Sequence, residues 1–138
     1  MNFQLEEAIE ILERTPKTLT HLLSGLSEPW ITCNEGEATW SAFDVIGHLI
    51  EGEKNNWTPR IQMIISKGET EAFPPFDRFS HLHQTAGKTM EQLLSEFTEL
   101  RQKNIEKLRS FIHPYTNFEQ TGLHSKLGIV KLRKLIAT

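Results

Sequence analysis

The pattern of apolar residues predicts an all-α fold: an up-down bundle of three long helices with the start of a fourth. Three observations carry that expectation. Leucine, isoleucine and phenylalanine recur at three- and four-residue intervals along three separate stretches. Ser41 with Asp44 and Thr89 with Gln92 have the spacing of capping boxes, so two helix starts are legible, the first with Asp in place of the usual Glu or Gln. No run alternates polar and apolar residues in a way that competes as a strand.

The first helix rests on Leu5, Ala8, Ile9 and Leu12, with Glu6, Glu7 and Glu10 near its positive N-terminal end. Thr15-Pro16 reads as an N-cap with proline at the first helical position, so a break is expected there before Leu19, Leu22, Leu23 and Leu26 continue the stripe. From Ser27 to Thr39, Pro29, Gly36 and several polar residues spell a loop, with Trp30 and Ile31 expected to fold back on the core. The Ser41 helix is expected to run toward Lys67, kinked or restarted at Thr58-Pro59. Residues Gly68 to about Lys88 lack periodicity and contain Pro74-Pro75. A connection of about 20 residues is long for a compact domain and suggests a lid, a short helix or a pocket wall. The Thr89 helix is the clearest, carrying Met90, Leu93, Leu94, Phe97, Leu100, Ile105, Leu108, Phe111 and Ile112 on one face until His113-Pro114 stops it. A polar loop is expected from Tyr115 to Gly128. Val130, Leu132, Leu135 and Ile136 then begin a fourth helical pattern, a short stub that reaches the last residue, Thr138.

Composition narrows the function. A chain of 138 residues, 38% hydrophobic and 24% charged, suits a single soluble domain over residues 1–138. Fifteen Lys and Arg against eighteen Asp and Glu give a net charge of −3 with no basic cluster, which argues against nucleic acid and anionic membranes as partners. One cysteine, Cys33, excludes an internal disulfide and fits a reducing compartment. With no apolar run of membrane-spanning length and no signal-like N-terminus, a cytoplasmic location is expected.

The unusual residues concentrate between Trp40 and Arg60. On a helix, Asp44, His48, Glu51 and Asn55 share a stripe about 60° wide, opposite Ile46, Ile50 and Trp57. Gly47 and Gly52 border that stripe and would let another backbone or a ligand come close. His48 and Glu51 have the i, i+3 spacing of two metal donors on one helix, and the same stripe equally fits a solvated face. His81 and His83 would share a side only on an extended segment. Trp40, Trp57 and Phe76 are candidates to line a pocket, and Arg60 and Arg78 to bind an anionic group bidentately. Of these, Trp57 and Arg60 are the candidate substrate-binding residues.

The stretch Trp40-Ser-Ala-Phe-Asp44-Val-Ile-Gly-His48-Leu-Ile-Glu-Gly-Glu-Lys, followed by Trp57-x-Pro59-Arg60, resembles the second helix of the DinB/YfiT-like superfamily. Pro75-Phe-Asp-Arg-Phe79, Leu93-Leu-Ser-Glu-Phe97 and Thr121-Gly-Leu-His124-Ser-Lys-Leu-Gly128 resemble its later segments, in the same order. The resemblance implies a four-helix bundle holding a divalent metal, zinc or nickel, on three histidines. His48 matches the one from the second helix. The other two belong to a His-Asp-x-x-His motif on the fourth helix, which this sequence does not reach, and Lys131 stands where a capping Thr is usual. The implied activity is metal-dependent hydrolysis or transfer of a small-molecule thiol to an electrophile, with an incomplete metal site in this chain. An apolar groove beside the short fourth helix and a homodimer are further expectations. The alternative is a non-catalytic helical binding or oligomerisation module.

Overall fold

The computed structural model describes residues 3–137, so expectations attached to Met1, Asn2 and Thr138 lie outside the described residues. Helix α1 (Leu5–Leu23) runs without the expected break, with Pro16 inside it. A proline cannot donate to the carbonyl four residues back, and that carbonyl, of Leu12, instead accepts from Arg101 Nη1 at 3.3 Å. An outside donor therefore replaces the missing rung.

A short α2 (Glu28–Thr32) interrupts the predicted loop. Ile31 packs on the core as expected, but Trp30 does not: it is 69% exposed. On so short a helix adjacent residues point about 100° apart, so only one of the two reaches the core.

Helix α3 (Ala42–Asn55) begins in a complete capping box, with Asp44 N–H donating to Ser41 Oγ at 3.2 Å and Ser41 N–H to Asp44 Oδ2 at 3.0 Å. The helix restarts as α4 (Trp57–Lys67) after Asn56, two residues earlier than the proline suggested. Pro59 then falls within the first turn of α4, where backbone N–H groups have no partner in the helix to lose. A Cβ at Gly52 would lie 3.0 Å from Trp57 Nε1, so the absence of that carbon lets the indole fold back over the break.

The aperiodic stretch holds a short helix, α5 (His81–Gln84), laid against α3. Helix α6 (Met90–Phe111) opens in the second predicted capping box, Thr89 with Gln92, and packs along both α1 and α3.

One expectation fails in this region. The predicted loop after α6 contains an antiparallel hairpin, β1 (Thr121–His124) and β2 (Gly128–Lys131), with Thr121 opposite Lys131 and His124 opposite Gly128. Phe73 N–H donates to Leu123 O at 2.8 Å, adding the chain after α4 to the hairpin edge. A Cβ on Gly122 would sit 2.7 Å from Ile64 Cγ1 and 2.8 Å from Phe73 Cζ, so a glycine there is what lets the hairpin lie flat on α4.

Helix α7 (Leu132–Ile136) is the fourth member of the bundle and, as expected from Lys131, has no side-chain cap. Its first two amides instead donate to the loop before β1: Leu132 N–H to Gln120 O at 2.7 Å and Arg133 N–H to Phe118 O at 3.0 Å.

Two apolar clusters fill the bundle. The lower joins Ile9, Ile61, Ile64, Phe73, Ile105, Leu108, Leu132, Leu135 and Ile136; the upper joins Leu23, Ile46, Ile50, Met90, Leu93, Leu94 and Phe97. Between them lies an ion pair. Arg101 Nη2 meets Glu53 Oε1 at 2.7 Å, and Glu53 also accepts from Asn104 Nδ2 at 2.9 Å. The architecture is an all-α four-helix bundle carrying one small hairpin, and no helix among the described residues is long and apolar enough to cross a membrane.

Candidate metal centre

His48 lies on the outward side of α3, in the second turn after the cap. The stripe it shares with Asp44, Glu51 and Asn55 is covered in part, as Gly47 suggested: Glu51 is buried, Asp44 and His48 half-buried, and Asn55 exposed. A Cβ at Gly47 would stand 2.7 Å from Thr85 Cγ2 and 3.3 Å from His81 Cδ2, so α5 can rest here only because that atom is missing.

The resulting wall is aromatic. The His48 ring lies 4.7 Å from Trp40, 5.6 Å from Phe76 and 5.5 Å from His81, centre to centre. The Arg78 guanidinium sits 5.1 Å from the Trp40 ring centre and 5.0 Å from that of Phe79. Its own carbonyl lies 3.2 Å from His48 Nδ1. A carbonyl oxygen can only accept, so Nδ1 carries the proton and the neutral ring presents a bare lone pair at Nε2. Burial pushes the His48 pKa below its ordinary value of 6.5; the Arg78 hydrogen bond opposes this, nearby His81 and Arg78 add to it, and Glu51 pulls back. The balance keeps the ring neutral near pH 7.

Around it, buried polar atoms lack partners. Glu51 accepts from Asn55 Nδ2 through Oε1, while its Oε2 is buried with no hydrogen bond. His81 is 1% exposed, and neither of its ring nitrogens has a partner. Elsewhere, at the junction of α3 and α4, Asn56 Oδ1 is also buried without a hydrogen bond. Such groups are rare in folded proteins.

The two candidate substrate residues do not join His48. Trp57 lines a groove of about 740 Å³ between α1 and α4, floored by α6 and closed at one end by α7. Ala8, Ile11, Leu12, Leu49, Ile105 and Leu108 make its walls apolar, and neither His48 nor Arg60 borders it. Arg60 points under the hairpin, 9% exposed, its guanidinium 5.4 Å from the Phe73 ring centre. Desolvation lowers its pKa, and its charge in turn helps lower that of His124, where burial is the larger cause. His124 Nδ1 accepts from the amides of Lys126 and Leu127, which shapes the hairpin turn.

Sequence reasoning gave His81 little weight as a site residue. Its helical separation from His83 argued against a shared site, and the two do part, His81 inward and His83 outward. The imidazole beside His81 is that of His48, ring centres 5.5 Å apart, and the local signal for that approach was Gly47. Among the described residues no group of three or more His, Cys, Asp and Glu side chains is arranged to hold a metal ion.

Comparison with known proteins adds three findings. The family model of the DinB superfamily matches residues 11–138. The structure of YfiT from Bacillus subtilis, described as a probable metal-dependent hydrolase with an unusual four-helix bundle topology, superposes with a TM-score of 0.76 at 20% identity, covering 97% of this chain and 76% of that one. Among curated protein sequences none matches.

Proposed function

The chain belongs to the DinB superfamily, and on that premise we propose that it serves a metal-dependent enzyme of the hydrolase or thiol-transferase type, with His48 as a metal ligand. One observation supports this reading most: the carbonyl of Arg78 holds the proton of His48 on Nδ1 and leaves Nε2 free, as a metal-binding imidazole requires. The donor chemistry fits a divalent ion such as zinc or nickel. The set within the described residues is incomplete, short of the three protein ligands usual for a catalytic zinc.

When bound, such an ion lowers the pKa of a coordinated water or thiol and supplies a nucleophile at neutral pH. The chain's own residues do the rest. Trp40 and Phe76 pack on the His48 ring, and its burial favours the neutral form. Arg78, its guanidinium against both Trp40 and Phe79, fixes the carbonyl that sets the tautomer. The substrates in this reading are a small-molecule thiol and an electrophile. Trp57 lies in the groove and Arg60 is buried beneath the hairpin, both apart from His48, so neither is assigned a substrate contact at the metal. A reducing cytoplasmic setting suits the exposed free thiol of Cys33.

Elemental analysis of the purified chain after zinc or nickel loading and desalting tests the proposal. Metal retained by the wild type and lost in His48→Ala is the expected result. Equal retention in both would overturn it.

The groove favours a second reading, a binding or oligomerisation module that forms a homodimer through its apolar walls. In that case no metal is held, sedimentation gives a dimer, and Ile11→Lys, at an exposed position on the groove wall, converts it to a monomer.

A further inference from the structure

His81 has no structural reason to be a histidine. Thr85 N–H and Oγ1 both hold its carbonyl, each at 3.0 Å, and its Cβ and Cδ2 rest against Gly47, so backbone and packing fix its place without the ring nitrogens. Yet both nitrogens are buried and unpartnered. Burying an unpaired polar group is costly, and a leucine or phenylalanine would fill the space without that penalty. A buried unpaired group of this kind calls for a water, an ion or a catalytic role to account for it.

The nearest group able to share an ion with it is His48, the centres of the two rings 5.5 Å apart and their planes inclined by 72°. With metal–nitrogen bonds of about 2.0–2.1 Å and ring centres about 1.1 Å further out, two imidazoles on one tetrahedral ion stand with centres about 5 Å apart. The observed ring-centre spacing of 5.5 Å is close to that figure. Trp40, edge-on to His81 at 4.9 Å, helps close the space from one side. Glu51, whose charge is felt at His48, supplies a negative group nearby.

We propose that His81 is a second imidazole ligand, forming with His48 a two-histidine site for a divalent transition-metal ion. The proposal rests on the reading of His48 as a ligand and adds a donor from α5 to it. In this arrangement α5 would do more than cover the centre: it would hold part of it.

The test separates this inference from the reading beneath it. The full chain, stripped by chelator, is titrated with Co²⁺ and followed by visible absorption, and with Zn²⁺ by calorimetry. The variants are His48→Ala, His81→Ala, His81→Leu and His83→Ala, each checked for helicity by circular dichroism. The expected result is one ion per chain, at least tenfold weaker binding in each His48 and His81 variant, and no change in His83→Ala. If His48→Ala abolishes binding while both His81 variants retain wild-type affinity, the second ligand is refuted and the His48 reading survives. If neither histidine matters, or the wild type binds no ion, both fall. His81→Leu guards against a folding artefact, because an apolar residue suits that buried position and loss of metal with intact helicity then reports the ring nitrogen.

Discussion

Glu51 and Glu53 lie two residues apart on α3, both buried, and have opposite surroundings. Glu53, its side chain 3% exposed, is fully engaged by Arg101 and Asn104, and Arg101 goes on to satisfy the carbonyl freed by Pro16. Glu51 has one oxygen on Asn55 and one on nothing, and His81, packed on the same helix, is buried with both ring nitrogens equally without partners. A closed polar network explains itself as architecture. An open one, retained inside a folded chain, points outward to something it is built to receive.

That contrast can be broken or sharpened by mutation. Removing one side of the closed network should have the largest effect. Glu53→Ala strands a buried guanidinium and is expected to lower stability by about 3–5 kcal/mol in urea unfolding. The double variant Glu53→Leu with Arg101→Met should recover much of that loss. A loss below about 1 kcal/mol in Glu53→Ala would show that the network is not the frame of the bundle. Gly47→Ala comes next. Its new methyl meets Thr85 and His81, and overpacking of this kind costs about 1–3 kcal/mol. Trp40 fluorescence should shift as α5 lifts, and an unchanged spectrum would mean that α5 is not seated by the glycine. Ser41→Ala, which removes a cap outside both networks, is expected to cost about 1 kcal/mol by thermal unfolding.

The open network should respond with the opposite sign. His81→Leu deletes two unpaired polar atoms and is expected to stabilise the metal-free chain by about 1 kcal/mol. Destabilisation by more than that would place His81 among the architectural residues. The smallest effect is that of pH. His48 and His124 both titrate below 6.5 in the folded chain, so the unfolded state binds more protons in the window just below that value. Their contribution is complete above pH 6.5 and falls away as acid approaches the lowered folded values. His48→Gln should flatten the decline in midpoint denaturant concentration over that range; an unchanged slope would remove His48 as its source.

Much of the bundle was legible because local chemistry and tertiary role coincide. Ser41 with Asp44 and Thr89 with Gln92 cap their helices through contacts three residues apart, which a sequence displays directly. His48 was legible for its place in a motif, and Gly47 for a missing carbon. What escaped notice depends on distant partners. Pro16 looked like a helix start because Arg101, which rescues its helix, lies far along the chain. The hairpin is two strands of four residues, too short to show a period, and its position depends on Gly122 fitting against Ile64 and Phe73. His81 belongs to the same class, since what makes it notable is an environment assembled from α3, α5 and the loop before it. Trp57 and Arg60 share α4 after the break at Asn56, but the Trp57 ring lines the groove while the Arg60 guanidinium lies over Phe73, and nothing in their spacing shows that.

The donor from Arg101 to Leu12 also fixes an order of events. During synthesis α1 emerges long before residue 101 exists, so its proline step stays unmended until α6 docks. A peptide covering only residues 1–40 should therefore show two short, fraying segments rather than one continuous rod. Amide exchange in the intact protein should open on either side of Pro16 whenever α6 lets go.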